Sequence, residues 1–250
     1  MMHQDGTQDL QRIYRTRFEG KWGYRVKVWK ILTRYFARWV PPLGAVLDLG
    51  AGYCEFINNI TAARKHAMDL NPETLNLAGP DVKIFQQDCS EPWPLAEAEL
   101  DAVFTSNFLE HLPNKEAVRR TLSNAYYCLK PGGRFIAIGP NIKYTQGAYW
   151  DFFDHYVELT ELSLSEALSN CGFDIEKQLP RFLPYTMSQG RQYPTWMLRL
   201  YLALPAAWPL FGKQFLVIGI KPKSNTGAAS NTPLSADVEQ LERAGLGRPK

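Results

Sequence analysis

The order of apolar and polar positions along the chain predicts a regular series of strands and helices. Short apolar runs that end in turn residues predict strands at 45–49, 65–70, 82–86, 100–106, 134–139, 173–178 and 214–220. Amphipathic stretches predict helices at 11–40, 55–62, 115–129 and 160–170. A further short helix is predicted after Asn71-Pro72-Glu73, with Asn71 as its cap. Strands that alternate with helices favour an α/β fold.

The same pattern suggests how the chain is organised. Residues 43–221 would form one α/β domain, a Rossmann-like, doubly wound and mostly parallel sheet of seven strands with helices on both faces. Residues 1–42 read as a basic and aromatic helical extension that ends at Pro41-Pro42. Residues 179–213 read as an apolar, basic insertion before the last strand, and 222–250 as a disordered polar tail.

Charge is distributed unevenly along the chain. The net charge of +3 on 250 residues is too small to indicate a nucleic-acid partner by itself. Residues 1–44 nevertheless hold nine Lys or Arg against three acids, and residues 177–236 hold seven Lys or Arg and no acid. Any anionic partner would therefore meet the two ends of the chain rather than its middle.

The cysteines, histidines and apolar runs exclude several classes. Four single cysteines and four scattered histidines match no metal-site spacing, so the sequence predicts no metal. Unpaired cysteines behind a polar, leaderless N-terminus fit a reducing cytoplasm. No apolar run is long enough to predict a membrane-spanning helix.

A glycine-rich turn between a predicted strand and helix carries the first candidate chemistry. It reads Asp48-Leu49-Gly50-Ala51-Gly52, and Asp69 ends the next strand 21 residues after Asp48, a spacing that suits ribose hydroxyls. Asp48 would repel a dinucleotide pyrophosphate, as would Glu55 at the third glycine position of GxGxxG. S-adenosylmethionine (SAM) has no phosphate and carries two cationic groups, so the acids favour SAM.

At this point the chain resembles the class I SAM-dependent methyltransferases of the broad small-molecule type 11 group, over roughly residues 43–178. The family's acid-x-Gly-x-Gly-x-Gly motif matches residues 48–54, with Cys54 in place of the last glycine. Residues 106–112, Ser-Asn-Phe-Leu-Glu-His-Leu, match the segment that lines the methyl-donor site. Residues 129–134, Leu-Lys-Pro-Gly-Gly-Arg, match the turn before strand five.

The resemblance implies a set of SAM-binding residues. Asp69 would hold the ribose, and Asp88 the adenine amino group, with the backbone of Cys89 beside it. The whole expected set is Asp48, Gly50, Ala51, Gly52, Asp69, Leu70, Asp88, Cys89 and Asn107. Taken alone, Asp69 and Asp88 are more often turn residues. Their positions at successive strand ends, where open α/β sheets bind ligands, support the binding role.

Two histidines are candidate catalytic bases. Methyl transfer is an in-line displacement that needs alignment and often a base, and imidazole titrates near neutral pH. His111 lies in the matched segment, where the family often gives it a structural or site-shaping role. His155 lies in a loop after strand five with Asp151, Asp154 and Tyr156. A single histidine is more often structural, so both stay candidates.

The acceptor is open at this level. Enzymes that methylate base amino groups typically carry Asn/Asp-Pro-Pro-Tyr/Phe after strand four, where this chain has Ser106-Asn107-Phe108-Leu109, so a nucleic acid is the less favoured partner. The basic helix and the apolar stretch 193–212 could contact an anionic membrane surface, grip a lipid-linked glycan, or simply cover the sheet. Chains that resemble this one in their VWKIL and FINNI patterns point to cell-surface polysaccharide pathways.

The sequence therefore predicts a SAM-dependent methyltransferase that acts on a small-molecule or glycan- or lipid-linked acceptor, with transfer to oxygen. It would be cytoplasmic, with peripheral contact at the inner face of the membrane as an option, and its oligomeric state is left open. The alternatives are an RNA methyltransferase that uses the basic helix, an NAD(P)-dependent oxidoreductase, and a non-catalytic SAM-fold binding protein.

Overall fold

The computed structural model describes residues 22–185 and 192–223, which are built around one seven-stranded sheet. Its strands are β1 (Ala45–Leu49), β2 (Arg64–Met68), β3 (Val82–Phe85), β4 (Leu100–Ser106), β5 (Leu129–Pro140), β6 (Asp174–Leu183) and β7 (Gln214–Ile220). They lie in the order β3-β2-β1-β4-β5-β7-β6. β7 runs antiparallel to β5 and β6, and the other neighbouring pairs are parallel. The predicted doubly wound, mostly parallel sheet is confirmed.

Helices connect and cover the strands. They are α1 (Trp22–Phe36), α2 (Thr74–Leu77), α3 (Lys115–Cys128), α4 (Ile142–Thr145), α5 (Glu161–Asn170), α6 (Thr195–Ala203) and α7 (Trp208–Phe211). Short 3-10 helices lie at Ala37–Trp39, Leu109–His111, Gln146–Asp151 and Pro205–Ala207. Local sequence explains where two of the helices begin, because Asn114 caps the N-terminus of α3 and a Thr160–Ser163 capping box lies at the N-terminus of α5. Within the described ranges, no helix is long and apolar enough to cross a membrane.

The sheet is buried on both faces, and β1 illustrates why its sequence is almost wholly apolar. Ala45, Leu47 and Leu49 face the layer that contains α3 and α5, whereas Val46 faces the layer that contains α1, α6 and α7. A strand between two layers needs apolar side chains at odd and even positions alike. Since α1 contributes buried Val28 and Leu32 to the second layer, it packs directly on the sheet.

The strand order creates a crevice next to β1. The chain continues from β1 to β2 on one side and returns as β4 on the other. The loops that follow β1 and β4 therefore leave in opposite directions at the carboxyl edge of the sheet, which is where open α/β sheets bind ligands.

The predicted helix at 55–62 is wrong, because this segment forms only a series of turns. Two local features interrupt the helix. Cys54 has a φ of 59°, outside the helical region. The amide of Ile57 donates to the Asp48 carboxylate at 3.3 Å instead of to a helical carbonyl. A side chain from the neighbouring strand thus competes with helix formation.

Some predicted boundaries also shift. β5 begins at Leu129 rather than 134, because the Gly132 amide donates to the Lys221 carbonyl at 2.7 Å and keeps the segment extended. β6 continues to Leu183, so residues 179–183 belong to a strand rather than to the predicted insertion. The helix predicted after Asn71 begins only at Thr74, with Asn71 in a preceding turn. β2 ends at Met68, two residues early.

Parts of three predicted features lie outside the described residues. They are the start of the N-terminal helical extension (1–21), residues 186–191 of the insertion, and the polar tail from 224 onward.

Candidate functional site

The turn after β1 depends on three residues with positive φ. Gly50 and Gly52 have φ values of 69° and 50°, and Cys54 follows at 59°. A Cβ on Gly50 would overlap the Phe108 ring, so this position needs glycine for space as well as conformation. Cys54 occupies the third glycine position of the expected motif, and its φ explains why glycine suits that position.

Asp48 places a buried negative charge directly below this turn. Its side chain is 4% exposed, and one oxygen accepts the Ile57 amide. Burial raises the pKa of the Asp48 carboxyl well above its usual range, and the charges of Asp69 and Glu55 add to the rise. The carboxylate is therefore poorly compensated by the protein, and a cationic ligand would stabilise its charged form.

Asp69 joins the end of β2 to the turn. One carboxylate oxygen accepts the Gly52 amide at 2.7 Å and the other accepts the Asn71 amide at 2.8 Å. Burial raises the pKa of Asp69, although these hydrogen bonds oppose the rise. The residue thus fixes the shape of the turn, and each oxygen has a further lone pair for a ligand hydroxyl.

Asp69 also lines a cavity of about 160 Å³, which we call the outer cavity. It brings together four of the expected cofactor residues, Asp69, Leu70, Asp88 and Cys89. Asp88 is exposed and accepts the Ser90 amide at 2.8 Å, whereas Cys89 is buried. The remaining walls include Met68, Gln87, Phe108, His111, Leu112 and Asp154.

A second cavity of about 140 Å³, the central cleft, opens beside the turn. It is lined by the other expected cofactor residues, Asp48, Gly50, Ala51, Gly52 and Asn107, and by both candidate bases, His111 and His155. His111 lines both cavities, which are therefore neighbours. Further lining residues come from distant segments and include Arg25, Trp29, Glu110, Phe152, Tyr185 and Gln214.

The two candidate bases lie side by side, although 44 positions separate them. The ring centroids of His111 and His155 are 4.9 Å apart in an edge-on arrangement, and His155 stacks on Phe152. His111 Nδ1 lies 2.8 Å from the Asp154 carbonyl and 3.2 Å from its carboxylate. Burial alone would lower the pKa of His111, but its hydrogen bond with Asp154 and the nearby negative charges of Glu110 and Asp154 outweigh burial and raise it.

Asn107 occupies a strained position at the end of β4. Its φ is 49°, and its amide donates to the Ile138 carbonyl at 2.9 Å. Its side-chain nitrogen reaches Ser106 at 3.2 Å, while its buried Oδ1 has no hydrogen-bond partner among the described residues. An acceptor atom of this kind at the cleft wall is suited to a ligand N–H or O–H.

The structure also reveals cleft residues that sequence reasoning missed. Arg25 of α1 forms a bidentate ion pair with Glu55, at 2.6 and 2.8 Å. Glu55 is therefore charge-balanced, and the argument against a pyrophosphate rests on Asp48 alone. Glu110, 2% exposed, also lines the cleft, and its place beside His111 in the matched segment was the available signal. Trp29 lies in the VWKIL pattern, which gave no indication of a site, and Gln214 lies outside every motif.

Comparisons with known proteins agree with this geometry. A profile described as a methyltransferase domain matches residues 47–137. A SAM-dependent methyltransferase from Archaeoglobus fulgidus has a TM-score of 0.62 at 20% identity, covering 84% of this chain and 99% of that one. A SAM-dependent methyltransferase from Thermotoga maritima, described as a possible histamine N-methyltransferase, has a TM-score of 0.59 at 16% identity, covering 83% and 98%.

The same fold also occurs with other chemistry. The [4+2]-cyclase SpnF has a TM-score of 0.56 at 17% identity, covering 78% of this chain and 81% of that one. No curated protein sequence matches this chain. At such identities the structural neighbours show the fold alone, so the acceptor has to be argued from the residues of the cleft.

Proposed function

We propose that this chain, whose residues 47–137 match a methyltransferase-domain profile, acts as a class I SAM-dependent methyltransferase on a hydroxyl of a small-molecule or glycan- or lipid-linked acceptor. The observation that carries the proposal is the position of His111 between two cavities. One cavity is built from strand-end acids, and the other contains a second imidazole. SAM supplies an electrophilic methyl group on a sulfonium. The protein must bind SAM, align an acceptor with the methyl group and remove the proton of the acceptor hydroxyl.

The acids of the two cavities fit SAM. Asp69 and Asp88 in the outer cavity would hold the ribose hydroxyls and the adenine, beside Leu70 and the backbone of Cys89. Asp48, with Gly50, Ala51, Gly52 and Asn107, would face the methionine end in the central cleft. The poorly compensated charge of Asp48 supports this orientation, because the methionine end carries the cationic groups.

We propose that the acceptor enters the central cleft from the side of His155. Aromatic residues Trp29, Phe152 and Tyr185 form much of that wall, and the buried Gln214 Oε1 has no partner among the described residues. Aromatic faces beside a few polar atoms suit a partly apolar, hydroxylated molecule. His111 and His155 are the side chains we expect to act on its hydroxyl.

An exposed apolar surface in the segment that joins two cleft residues supports a lipid-linked acceptor. Between Tyr185 and Gln214, which both line the cleft, the chain exposes seven large apolar side chains: Tyr193, Trp196, Met197, Leu200, Leu204, Leu210 and Phe211. No acid occurs anywhere in residues 177–236. α6 also contacts α1, whose Lys27, Lys30 and Arg34 are exposed. Apolar and cationic side chains together suit an anionic lipid surface.

Methyl transfer from isotopically labelled SAM to separated cell fractions tests the acceptor. The fractions are small molecules, extractable lipids, polysaccharide and RNA. We expect label in the lipid or small-glycan fraction, recovered as a methoxy group by mass spectrometry. Label confined to RNA, or recovered only on nitrogen, would overturn the proposal and favour the RNA alternative or an amine acceptor.

Vesicle flotation tests the lipid surface separately. The protein should float with phosphatidylcholine vesicles that contain phosphatidylglycerol, less so at high salt. The double variant Leu210→Ser, Phe211→Ser should lose this binding. Leu43→Ser removes an even more exposed leucine (89%) outside the segment and serves as the control. Equal flotation of both variants would contradict the proposed surface.

A further inference from the structure

The two candidate bases of the central cleft, His111 and His155, form a cluster with a third side chain, Glu110. Glu110 and His111 come from the 3-10 helix after β4, and His155 from the loop after β5. Each offers one ligand atom, and these atoms all lie within 4.8 Å of one another. The 43 residues between His111 and His155 hide this convergence from any spacing rule.

Backbone hydrogen bonds hold the two contributing segments together. The Glu110 carbonyl accepts the amides of Tyr156 at 2.8 Å and Val157 at 3.1 Å. The side chains of Glu110 and His155 are both buried, at 2% and 6% exposure. The distance between the carboxylate and the second imidazole is therefore set by the fold rather than by flexible surface side chains.

Asp154 orients the third group of the cluster. His111 Nδ1 contacts the Asp154 carbonyl at 2.8 Å and its carboxylate at 3.2 Å, so Nε2 is the nitrogen left for a ligand. Metal-bound histidines usually donate their other ring N–H to a carboxylate or carbonyl, which fixes the tautomer. This support distinguishes the cluster from a chance meeting of polar side chains.

We propose that Glu110, His111 and His155 bind one divalent transition-metal ion, with Zn²⁺ as the ion that suits them best. Two imidazoles and one carboxylate are a donor set of catalytic zinc sites, which leave a further coordination position open. Ligand atoms at about 2.1 Å from one ion lie roughly 3.4 Å apart. The widest separation within the cluster would therefore have to shrink by up to about 1.4 Å around the ion, through rotation about the side-chain χ angles.

The role of the ion rests on the proposed function. Its open position faces the central cleft and binds the acceptor hydroxyl, whose pKa the ion lowers. The hydroxyl proton leaves to water, the oxygen forms a bond to the methyl carbon, and the carbon–sulfur bond breaks to release S-adenosylhomocysteine. His111 and His155 then act as ligands, and the ion takes the part of a base.

Zinc binding to the full chain tests the site without any acceptor. The protein is stripped with EDTA and titrated with Zn²⁺ against a chromophoric chelator, and with Co²⁺ by visible absorption. We expect one equivalent bound with a micromolar or lower Kd. Glu110→Gln and His155→Gln should each weaken binding at least about tenfold and change the Co²⁺ spectrum. The control His66→Gln alters a buried histidine that does not line the cleft and should leave binding unchanged.

Two further readouts keep the result interpretable. S-adenosylhomocysteine binding reports whether each variant is folded, and His111→Gln is a more exposed third substitution should a buried one unfold the protein. Asp69→Ala should weaken S-adenosylhomocysteine but retain the ion, which separates the metal site from the nucleoside site. Zinc bound no better by wild type than by the Glu110→Gln, His155→Gln double variant would overturn the site. Labelled methyl groups found only on nitrogen or RNA, with zinc bound, would overturn the proposed function and leave the site intact.

Discussion

The outer cavity and the central cleft are neighbours, yet they are built in different ways. The expected cofactor residues of the outer cavity come from the ends of two adjacent strands, with Asp69 after β2 and Asp88 after β3. The central cleft draws on α1, on the segments that follow β1, β4, β5 and β6, and on the start of β7. The cofactor residues of the outer cavity thus follow from local sequence, whereas the central cleft requires six segments to meet.

This difference matches the expected division of labour. A cofactor shared by a whole family can be bound by strand-end residues that recur at regular spacing. We expect an acceptor specific to one enzyme to contact segments outside that framework, such as Arg25 and Trp29 before the matched region and Tyr185 and Gln214 after it, which all line the central cleft. Substitutions in each cavity should therefore separate cofactor binding from the remaining properties of the protein.

The largest effect is expected where the two cavities share a wall. Gly50→Ala would drive a Cβ into the Phe108 ring at a φ of 69°, so it should abolish measurable SAM binding and lower the melting temperature. Gly147→Ala is the matched control, because a Cβ there meets nothing within 4 Å. Calorimetric titration measures SAM binding by both variants, and thermal unfolding measures their melting temperatures. Equal behaviour of the two would show that the turn is not rigid.

Asp69→Ala should weaken cofactor binding. It removes the carboxylate that accepts the Gly52 and Asn71 amides and that we expect to bind ribose. SAM and S-adenosylhomocysteine should bind about 100-fold more weakly, the effect of losing hydrogen bonds to a charged group. Asp174→Ala, an exposed aspartate at the start of β6, is the control in the same titration. An unchanged Kd for Asp69→Ala would remove this residue from the cofactor site.

Asp48→Asn should separate stability from binding in the central cleft. Burial raises the pKa of Asp48, so the folded state disfavours the carboxylate. As pH rises above about 4, Asp48 ionises in the unfolded state before it does so in the folded state, and the folded protein loses stability until the pH reaches the raised pKa. The variant without SAM should therefore be more stable than wild type at neutral pH, by on the order of 1–3 kcal/mol, while binding SAM more weakly.

Urea unfolding across this pH range measures the difference in stability between wild type and Asp48→Asn. It should be smallest at acid pH, where wild-type Asp48 is also neutral, and grow toward neutral pH. A variant less stable than wild type at neutral pH would show that the charged form is compensated in the folded protein.

The smallest effect is expected at Cys54, which lines neither cavity. Cys54→Gly relieves the backbone strain at a φ of 59° but removes a fully buried side chain. The gain and the loss should nearly cancel, so the free energy of unfolding should change by no more than about 1 kcal/mol. Cys54→Val keeps the strain and adds a β-branched side chain, so it should be the less stable of the two. Thermal unfolding ranks them, and the reverse order would contradict the strain argument.

The framework of the fold was predictable from local pattern. β4 and β7 match their predicted bounds, and the capped starts of α3 and α5 carry their own signals. Predictions failed where a distant group replaced a local bond. The 55–62 segment has an ordinary helical pattern, yet the Asp48 carboxylate accepts the hydrogen bond of the Ile57 amide, which a helix would direct to a backbone carbonyl. β5 begins early because Lys221 pairs with Gly132.

The sequence by itself determined the sheet, the cofactor and most of the residues proposed to bind it, because each lies at a strand end with a short-range signal. Only the tertiary structure decided that Glu110 and His111 meet His155, that Arg25 neutralises Glu55, and that Gln214 reaches the cleft. Such contacts depend on how α1, β7 and the loop after β5 pack across the sheet. The physical reason is that packing depends on the apolar surface buried by many residues together, and the spacing of residues within a short segment does not predict it.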